Sequence, residues 1–351
     1  MKSIELLEKL HKNQFLSRDE FIFLLENVDE KVAQKAADLA RMVAEENYGD
    51  KIYIRGLIEF TNICKNNCYY CGIRAGNNHV VRYRLNKDEI YDCVEYGYDL
   101  GFRTFVLQGG EDEYFTDEII CEIISEIKNR YPDCAVTLSI GEKSKESYSR
   151  YKMAGADRYL LRHETADIDH YKKLHPESMS GENRHRCLEI LKELGFQVGA
   201  GFMVGSPYQT VENIADDLIF MKKLNPEMVG IGPFIPADNT PFENHLPGEL
   251  NQTLFILSLI RLMLPEVLLP ATTALSSLDS RGRELGIKAG ANVVMPNLSP
   301  PSVRDKYYLY DNKAFAGEEA AEHLEELKKS MKSLGREVVV DRGDNIGLKN
   351  G

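Results

Sequence analysis

Residues 101–108 read GFRTFVLQ, a glycine followed at once by a short apolar run, and the same arrangement recurs along the chain. Gly155 precedes ADRYLL, Gly195 precedes FQVGAGFM and Gly290 precedes ANVVM. A glycine at this position ends a helix in a left-handed turn, after which the chain reverses into a strand. The repeat therefore predicts a series of alternating helices and strands.

Eight apolar runs have the length and composition of strands, and they are residues 52–60, 104–108, 135–139, 158–162, 197–203, 228–234, 267–272 and 291–295. A helical pattern follows each of the first seven runs, and residues 318–334 can supply the eighth helix. Eight βα units in succession predict an α/β fold in the form of a closed parallel (β/α)8 barrel of the TIM type. An open, doubly wound parallel sheet is the alternative.

The chain is predicted to form one domain with additions at both ends. Residues 1–50 have helical periodicity, with a capping box at residues 17–20, and form an N-terminal helical extension. The barrel occupies residues 51–310. Residues 311–351 are expected to form a C-terminal helix and tail that close the barrel.

The composition excludes several classes of protein. Among 351 residues, 55 Asp and Glu outnumber 43 Lys and Arg, and the formal net charge of −12 argues against a general nucleic-acid binder. The most apolar stretch, residues 255–270, contains Arg261, Pro265 and Glu266 and is too polar to span a membrane. Since the N-terminus lacks the apolar core of a signal peptide, we expect a cytoplasmic protein.

Three of the seven cysteines form the motif C-x3-C-x2-C at Cys64, Cys68 and Cys71, directly after the first predicted strand. An odd number of cysteines without an export signal indicates free thiols in a reducing compartment. Three thiolates in one short loop can converge on a metal centre, and in an iron–sulfur cluster they would leave one iron open for a small molecule. A zinc site with His79 as the fourth ligand is the alternative.

Polar residues also collect at the ends of the other predicted strands. Because the active sites of such barrels lie at the carboxyl ends of the strands, these residues are expected at one rim, where they indicate a ligand site. They are Gln108, Gly109, Gly110 and Glu111 after the second strand, Ser139 after the third, Arg162, His163 and Glu164 after the fourth, Met203 after the fifth, Thr272 and Thr273 after the seventh, and Met295 after the eighth.

The loop CKNNCYYC after a first barrel strand resembles the signature of the radical S-adenosylmethionine (SAM) enzymes. Residues 109–111 resemble the GGE motif of that family, which accepts hydrogen bonds from the SAM amino group. The resemblance implies one [4Fe–4S] cluster on the three cysteines, with SAM bound to the fourth iron and Tyr70 covering the cluster. It also implies one-electron cleavage of SAM to methionine and a 5′-deoxyadenosyl radical.

The resemblance extends to the HydE-type maturases of [FeFe]-hydrogenase over residues 50–310. It is carried jointly by IRGLIEFTNICKNNCYYCGIR, RYR, LQGGED, DRYLLRHETAD, GENR, VGIGPFIP, PATTAL and GANVVMPN. It implies a step in assembly of the hydrogenase H-cluster, with an iron–carbonyl–cyanide–cysteine species, delivered by a partner maturase, as the substrate. A ferredoxin or flavodoxin is the expected electron donor, and no nucleic acid or membrane is expected as a partner.

The resemblance also implies roles for individual residues. Glu164 and Arg184 match SAM contacts, with Arg184 facing the SAM carboxylate in a strong and directional fork. Arg162 and His163 are expected to line the radical chamber and, with Glu164, to be the catalytic residues. A solvated helix charge at Arg184 and a neutral, hydrogen-bonded core residue at His163 are the alternatives. The other expected cofactor contacts are Tyr70, Gln108, Gly109, Gly110, Glu111, Ser139 and Met203.

A second group of residues matches the anion site of that family, which would receive a carboxylate such as that of a cysteine-derived ligand. Charged residues inside a barrel are costly unless they are paired, and this group includes Arg55 in the first strand and Arg158 in the fourth. Pairing of Arg158 with Asp157 on the outside of the barrel is the alternative. The other members are Thr272, Thr273, Ala274, Met295, Tyr307 and Tyr310.

The sequence departs from those HydE-type proteins that carry a second cluster. No cysteine follows Cys187, and the four cysteines outside the motif are predicted in helices or at the start of a strand, so we expect a single cluster. This argues against a biotin-synthase-like enzyme, which uses a second cluster as a sulfur donor. Two further interpretations are a methylornithine-synthase-like mutase on a small organic substrate and, from another class, a zinc-binding barrel that acts as a scaffold.

Overall fold

Three helices precede the first strand of the computed structural model, which describes residues 1–311 and 321–348. They are α1 (Lys2–Asn13), α2 (Arg18–Glu26) and α3 (Glu30–Tyr48). A capping box starts α2, because the Ser17 hydroxyl accepts the Glu20 N–H and the Glu20 carboxylate accepts the Ser17 N–H. The long helix α3 packs against the outer helix α10 (Leu250–Met263), which joins the extension to the barrel.

Strands and helices alternate along the rest of the described chain. The strands are β1 (Lys51–Ile54), β2 (Gly56–Thr61), β3 (Thr104–Gly109), β4 (Ala135–Ser139), β5 (Arg158–Leu160), β6 (Gln197–Ala200), β7 (Met203–Val204), β8 (Met228–Val229), β9 (Gly232–Pro233), β10 (Val293–Val294) and β11 (Glu337–Val339). The helices are α4 (Lys87–Asp99), α5 (Asp117–Arg130), α6 (Lys145–Met153), α7 (Ile168–Leu174), α8 (Gly181–Glu193), α9 (Val211–Leu224), α10, α11 (Thr273–Leu278), α12 (Gly282–Lys288), α13 (Pro301–Arg304) and α14 (Leu324–Ser333).

The strands form a closed parallel barrel, which confirms the predicted fold class. Strands β2, β3, β4, β5, β6 and β8 form one parallel sheet in that order. Parallel bridges between Met228 and Leu268 and between Pro270 and Val293 connect β8 to β10, which pairs in parallel with β1. Since β1 and β2 follow each other in one extended run, the sheet returns to its starting strand.

Two predicted strands are each split into two shorter strands at a point where their backbones come close together. Residues 197–203 form β6 and β7, and residues 228–234 form β8 and β9. A side chain at Gly201 would meet the carbonyl oxygen of Gly230 at 2.0 Å. Beyond this approach, among the residues that the structure describes, β7 and β9 pair only with each other, so both strands leave the main sheet at the same level.

Two further strand predictions need correction. Residues 52–60 break at Arg55 into β1 and β2, and residues 267–272 form isolated bridges rather than a strand. Pro270 has no N–H to donate, so a regular ladder cannot pass through it. The predicted eighth helix at residues 318–334 corresponds to α14 in part, and its first three residues lie outside the described residues.

The apolar stretch at residues 255–270 belongs mostly to the buried helix α10. Its Arg261 is buried but fully bonded, because Nε donates to the carbonyl of Gly290 and Nη1 donates to the carbonyls of Pro265 and Val267. The remaining nitrogen, Nη2, donates to Oδ1 of Asn292 at 3.0 Å. None of the described helices is both long enough and apolar enough to cross a bilayer.

Strand β11 was not predicted from the sequence, and it pairs in parallel with β1. The segment after it reaches Arg158, the first residue of β5. Arg158 is fully buried and donates to Oδ1 of Asp344 and to the carbonyl of Arg342, both at 2.7 Å, and to Oγ1 of Thr104 at 2.8 Å. The alternative interpretation, a pair between Arg158 and Asp157, is wrong, since Asp157 binds Lys128 and Arg342 instead.

Replacement of Asp344 by alanine should lower the free energy of unfolding by about 3–5 kcal/mol, because the guanidinium of Arg158 then stays buried without its counter-charge. Burial acts to raise the pKa of Asp344, but Arg158 and Arg342 outweigh it and hold the pKa well below its usual range. The stabilisation is therefore complete above the unfolded-state pKa of about 3.9 and is lost as the pH falls through the folded-state pKa.

Urea denaturation at pH 7 measures this loss. The matched control is Glu193→Gln, which removes an exposed pair with Lys145 and should change stability by less than about 0.5 kcal/mol. Equal effects of the two substitutions would contradict the role given to Asp344.

Candidate metal-cluster site

The three cysteines of the motif lie in the loop that follows β2, at the carboxyl end of the barrel. Burial raises the pKa of the thiols of Cys64, Cys68 and Cys71, and the pKa of Cys71 rises to about 12. Repulsion from a neighbouring thiolate raises the pKa of Cys68 and Cys71 further. Since thiolates are the metal ligands, this loop needs a positively charged centre in order to ionise.

The donors of this loop suit an iron–sulfur cluster, because three thiolates in one short loop leave one iron open. Within residues 1–311 and 321–348, no three Cys, His, Asp or Glu side chains are grouped so that one metal ion could be held by all of them. His79, the expected fourth zinc ligand, is exposed. A zinc ion needs four converging ligands, whereas an iron–sulfur cluster is a larger centre whose thiolates need not converge on one position.

The end of α7 holds the second half of the cysteine loop. The backbone N–H of Tyr69 donates to the carbonyl of Leu174 at 3.0 Å. His175 donates from Nδ1 to the carbonyl of Tyr171, so its Nε2 accepts the hydroxyl of Tyr70 at 3.1 Å. These bonds fix the residues between Cys68 and Cys71, and His175 had no signal in the sequence that marked it for this task.

The glycines after β3 allow the cysteine loop to come close. A side chain at Gly110 would meet the carbonyl oxygen of Ile63 at 2.2 Å and Cβ of Cys64 at 2.7 Å. The next residue, Glu111, donates its backbone N–H to Sγ of Cys64 at 3.4 Å. The loop after β4 also comes close to Glu111, because a side chain at Gly141 would meet Oε1 of Glu111 at 2.1 Å.

Charged side chains of both signs surround this loop. Glu111 is buried, which raises the pKa of its carboxyl group, and its Oε1 accepts the backbone N–H of Glu142 at 3.0 Å. Arg184 on α8 donates from Nε to Oε1 of Glu142 at 2.5 Å and from Nη1 to the carbonyl of Arg162 at 3.0 Å. Arg162 in turn pairs with Glu164 at 2.9 Å. The structure therefore brings together four predicted residues: Glu111, Arg162, Glu164 and Arg184.

Glu142 was missing from the predicted site residues, although it stands three residues beyond the end of β4 and the rim was expected there. Gln108 and Ser139 are paired in register at the ends of β3 and β4. Met203, at the start of β7, belongs to an apolar cluster against which Tyr69 and Tyr70 pack.

His163 does not line the chamber as expected. Its side chain is fully buried and lies against Asp217 on α9, with Nε2 and Oδ1 at 3.2 Å. Burial lowers the pKa of His163 to about 3, so the ring is neutral. His163 is therefore a neutral, hydrogen-bonded core residue, as in the alternative interpretation. The expectation that it lines the radical chamber as a catalytic residue is corrected.

The residues expected at an anion site lie in two places. Arg55 is buried inside the barrel, where Nη1 approaches Sδ of Met228 at 2.8 Å. Its Nε and Nη2 have no hydrogen-bond partner among the described residues. Arg158 is not available in the same way, because Asp344 and Arg342 occupy its guanidinium.

The remaining members of that group lie at the start of α11, just after β10 and in the segment after α13. Thr272 caps α11 and donates its hydroxyl to the carbonyl of Ile231 at 3.2 Å. Thr273 begins the same helix. Ala274 and Tyr307 are buried, and Met295 and Tyr310 are half-buried.

Comparisons with known proteins bear on the family of this chain. Residues 58–221 match the family model of the radical SAM superfamily. The chain is 42% identical over 343 residues to the [FeFe] hydrogenase maturase subunit HydE of Thermotoga maritima, which covers 98% of this chain and 97% of the relative. It is 28% identical to the 3-methylornithine synthase of Methanosarcina acetivorans, covering 97% of this chain and 92% of that protein.

Two solved structures have the same fold at low identity. Methylornithine synthase (PylB) superposes with a TM-score of 0.84 at 24% identity and covers 98% of this chain and 99% of its own. The [FeFe]-hydrogenase maturase HydG superposes with a TM-score of 0.80 at 21% identity and covers 95% of this chain and 75% of its own.

Replacement of Gly110 by alanine should displace the cysteine loop and lower the iron and sulfide content after anaerobic reconstitution by at least about half, since the new Cβ collides with backbone rather than with a flexible side chain. Chemical iron and sulfide assays measure the content, and circular dichroism checks the fold. Gly230→Ala is the control, because within the described chain its Cβ meets no atom within 4 Å. Full iron loading in Gly110→Ala would contradict the close approach.

Proposed function

The chain belongs to the HydE family of radical SAM maturases, and from that premise we propose that its substrate is an iron–carbonyl–cyanide–cysteine precursor of the [FeFe]-hydrogenase active site. The observation that carries the proposal is the 42% identity to Thermotoga maritima HydE over nearly the full length of both chains. The enzyme uses a [4Fe–4S] cluster and SAM, as its family does. When bound, they supply a one-electron cleavage of SAM and a radical that acts on the substrate.

The chain's own residues hold these groups at the rim. Cys64, Cys68 and Cys71 would hold three irons of the cluster and would leave the fourth iron open to SAM. Arg184 binds the SAM carboxylate with guanidinium donors that its bonds to Glu142 and Arg162 leave available, since an arginine has five N–H donors. The carboxylate of Glu164 binds SAM beside it.

The interior of the barrel receives the substrate's carboxylate. Arg55 supports this assignment, because burying a guanidinium with two unpaired nitrogens is costly unless an anion completes its bonds. We assign Thr272, Thr273 and Tyr310 to the same site as hydroxyl donors. The substrate is thus held between a cation inside the barrel and the SAM site at the rim.

The proposed partners follow from the same chemistry. A ferredoxin or flavodoxin in the cytoplasm supplies the electron, and another hydrogenase maturase delivers the substrate. Nothing in the acidic composition favours a nucleic acid.

A second candidate is a mutase on an amino acid, which the 28% identity to 3-methylornithine synthase favours. A biotin-synthase-like enzyme is a weaker candidate, although the biotin synthase of Corynebacterium jeikeium is 28% identical over 84% of this chain. Its second cluster would need further ligands at the rim, and the free cysteines outside the motif lie in α4, α5 and α8 and just before β4.

The test is complementation of hydrogenase maturation. An [FeFe]-hydrogenase expressed anaerobically with a maturation system that lacks its HydE should become active when this chain is added. Cys68→Ser should abolish that gain. In parallel, purified reconstituted protein is offered lysine with SAM and reductant. Formation of 3-methylornithine without restored hydrogenase activity would contradict the maturase assignment.

Replacement of Arg55 by methionine should stabilise the fold and abolish maturation. Loss of an unpaired buried charge should raise the free energy of unfolding by about 1 kcal/mol or more, while hydrogenase activation should fall at least about tenfold because the substrate loses its anchor. Arg261→Met is the matched control, since every nitrogen of Arg261 is bonded. It should destabilise the protein. Unchanged maturation in Arg55→Met would contradict the anion site.

A further inference from the structure

Glu164 has a backbone conformation that residues other than glycine seldom adopt. Its φ of +66° lies in the left-handed region, where a side chain is strained. The residue is buried, and its carboxylate accepts a hydrogen bond from Nη2 of Arg162 at 2.9 Å. Such a conformation persists only where surrounding groups hold it.

The segment between β6 and β7 helps to hold Glu164 in this conformation. The N–H of Glu164 donates to the carbonyl of Gly201 at 3.1 Å, and the N–H of Gly201 donates to Nδ1 of His163 at 3.2 Å. Because Nδ1 accepts, the proton of the neutral ring is on Nε2, which donates to Oδ1 of Asp217 at 3.2 Å. His163 therefore links the segment between β6 and β7 to helix α9.

Asp217 accepts hydrogen bonds from residues on both sides of Glu164, namely His163 and Ala166. The same oxygen, Oδ1, also accepts the backbone N–H of Ala166 at 2.5 Å. The other oxygen, Oδ2, has no hydrogen-bond partner among the described residues, and the side chain is fully buried. Burying a carboxyl group with an unpaired oxygen costs stability. The benefit that offsets this cost is the placement of the residues bonded to Asp217.

We propose that Asp217 is a positioning residue for SAM binding, which holds residues 163–166 so that Glu164 keeps its left-handed conformation and presents its carboxylate to SAM. The inference rests on the proposed contact between Glu164 and SAM. A neighbouring bond acts in the same direction, because Asn213, one turn earlier on α9, donates to Oδ2 of Asp167 at 3.1 Å. Helix α9 thereby sets the geometry of the rim.

The test compares Asp217→Ala with Asp217→Asn in anaerobically reconstituted, cluster-loaded protein. The asparagine oxygen can still accept from His163 and Ala166, so Asp217→Asn should keep the SAM dissociation constant within about twofold of wild type. Asp217→Ala should raise that constant about tenfold or more, as Glu164 leaves its strained conformation. The constant is measured from the change that SAM produces in the electron paramagnetic resonance signal of the reduced cluster.

Leu218→Ala is the matched control for loss of packing, because Leu218 is the next residue of α9 and is also fully buried. It should lower the melting temperature without changing the affinity for SAM. Hydrogen exchange of residues 162–168 in the protein without cluster gives a second readout. Exchange should be faster in Asp217→Ala and unchanged in Asp217→Asn and Leu218→Ala.

If Asp217→Ala does not fold, His163→Phe takes its place, since phenylalanine fills the space of the ring and forms neither hydrogen bond. Weaker SAM binding with faster exchange supports the inference. Wild-type SAM affinity in both Asp217→Ala and His163→Phe, or equal losses in Leu218→Ala, overturns it and leaves the proposed function standing. A wild-type cluster signal that does not respond to SAM overturns the proposed function itself, and the inference with it.

Discussion

Three thiols within eight residues of one half-buried loop ionise together only if positive charge is placed among them. Burial opposes ionisation of Cys64, Cys68 and Cys71, and repulsion between neighbouring thiolates opposes it further for Cys68 and Cys71. An iron–sulfur cluster supplies that charge, and the loop is then stable in its ligating form. Other residues of the rim position this loop. Gly110 allows the loop to approach the end of β3, and His175 at the end of α7 forms a hydrogen bond with Tyr70 of the loop.

The same rim has the mixed charge that a zwitterionic cofactor requires. SAM carries an amino group and a carboxylate on adjacent atoms, so a site for it needs acceptors and cations side by side. Glu111 and Glu164 supply the first, and Arg162 and Arg184 supply the second. Inside the barrel, Arg55 has two donors without a hydrogen-bond partner among the described residues. In the proposed function, the rim is the cofactor end of the chamber and Arg55 marks its substrate end.

Much of this arrangement follows from local sequence patterns. Glycine after a helix and before an apolar run predicts the βα order, and the carboxyl ends of the strands predict the rim. The breaks at Gly201 and Pro270 were missed, because a run of apolar residues gives no indication of where two backbones approach or where a ladder lacks a donor. His163 and Arg158 were misjudged for a related reason: their partners, Asp217 and Asp344, are 54 and 186 residues away in the chain. Long-range partners of buried charges leave no periodic signal.

The most direct test of the central claim is electron paramagnetic resonance of the anaerobically reconstituted, dithionite-reduced protein, with and without SAM, in wild type and Cys68→Ser. The account predicts a reduced [4Fe–4S] signal in wild type that changes when SAM is added and that is lost in Cys68→Ser. A reconstituted wild-type protein without a cluster signal, binding zinc through the same three cysteines, would contradict it.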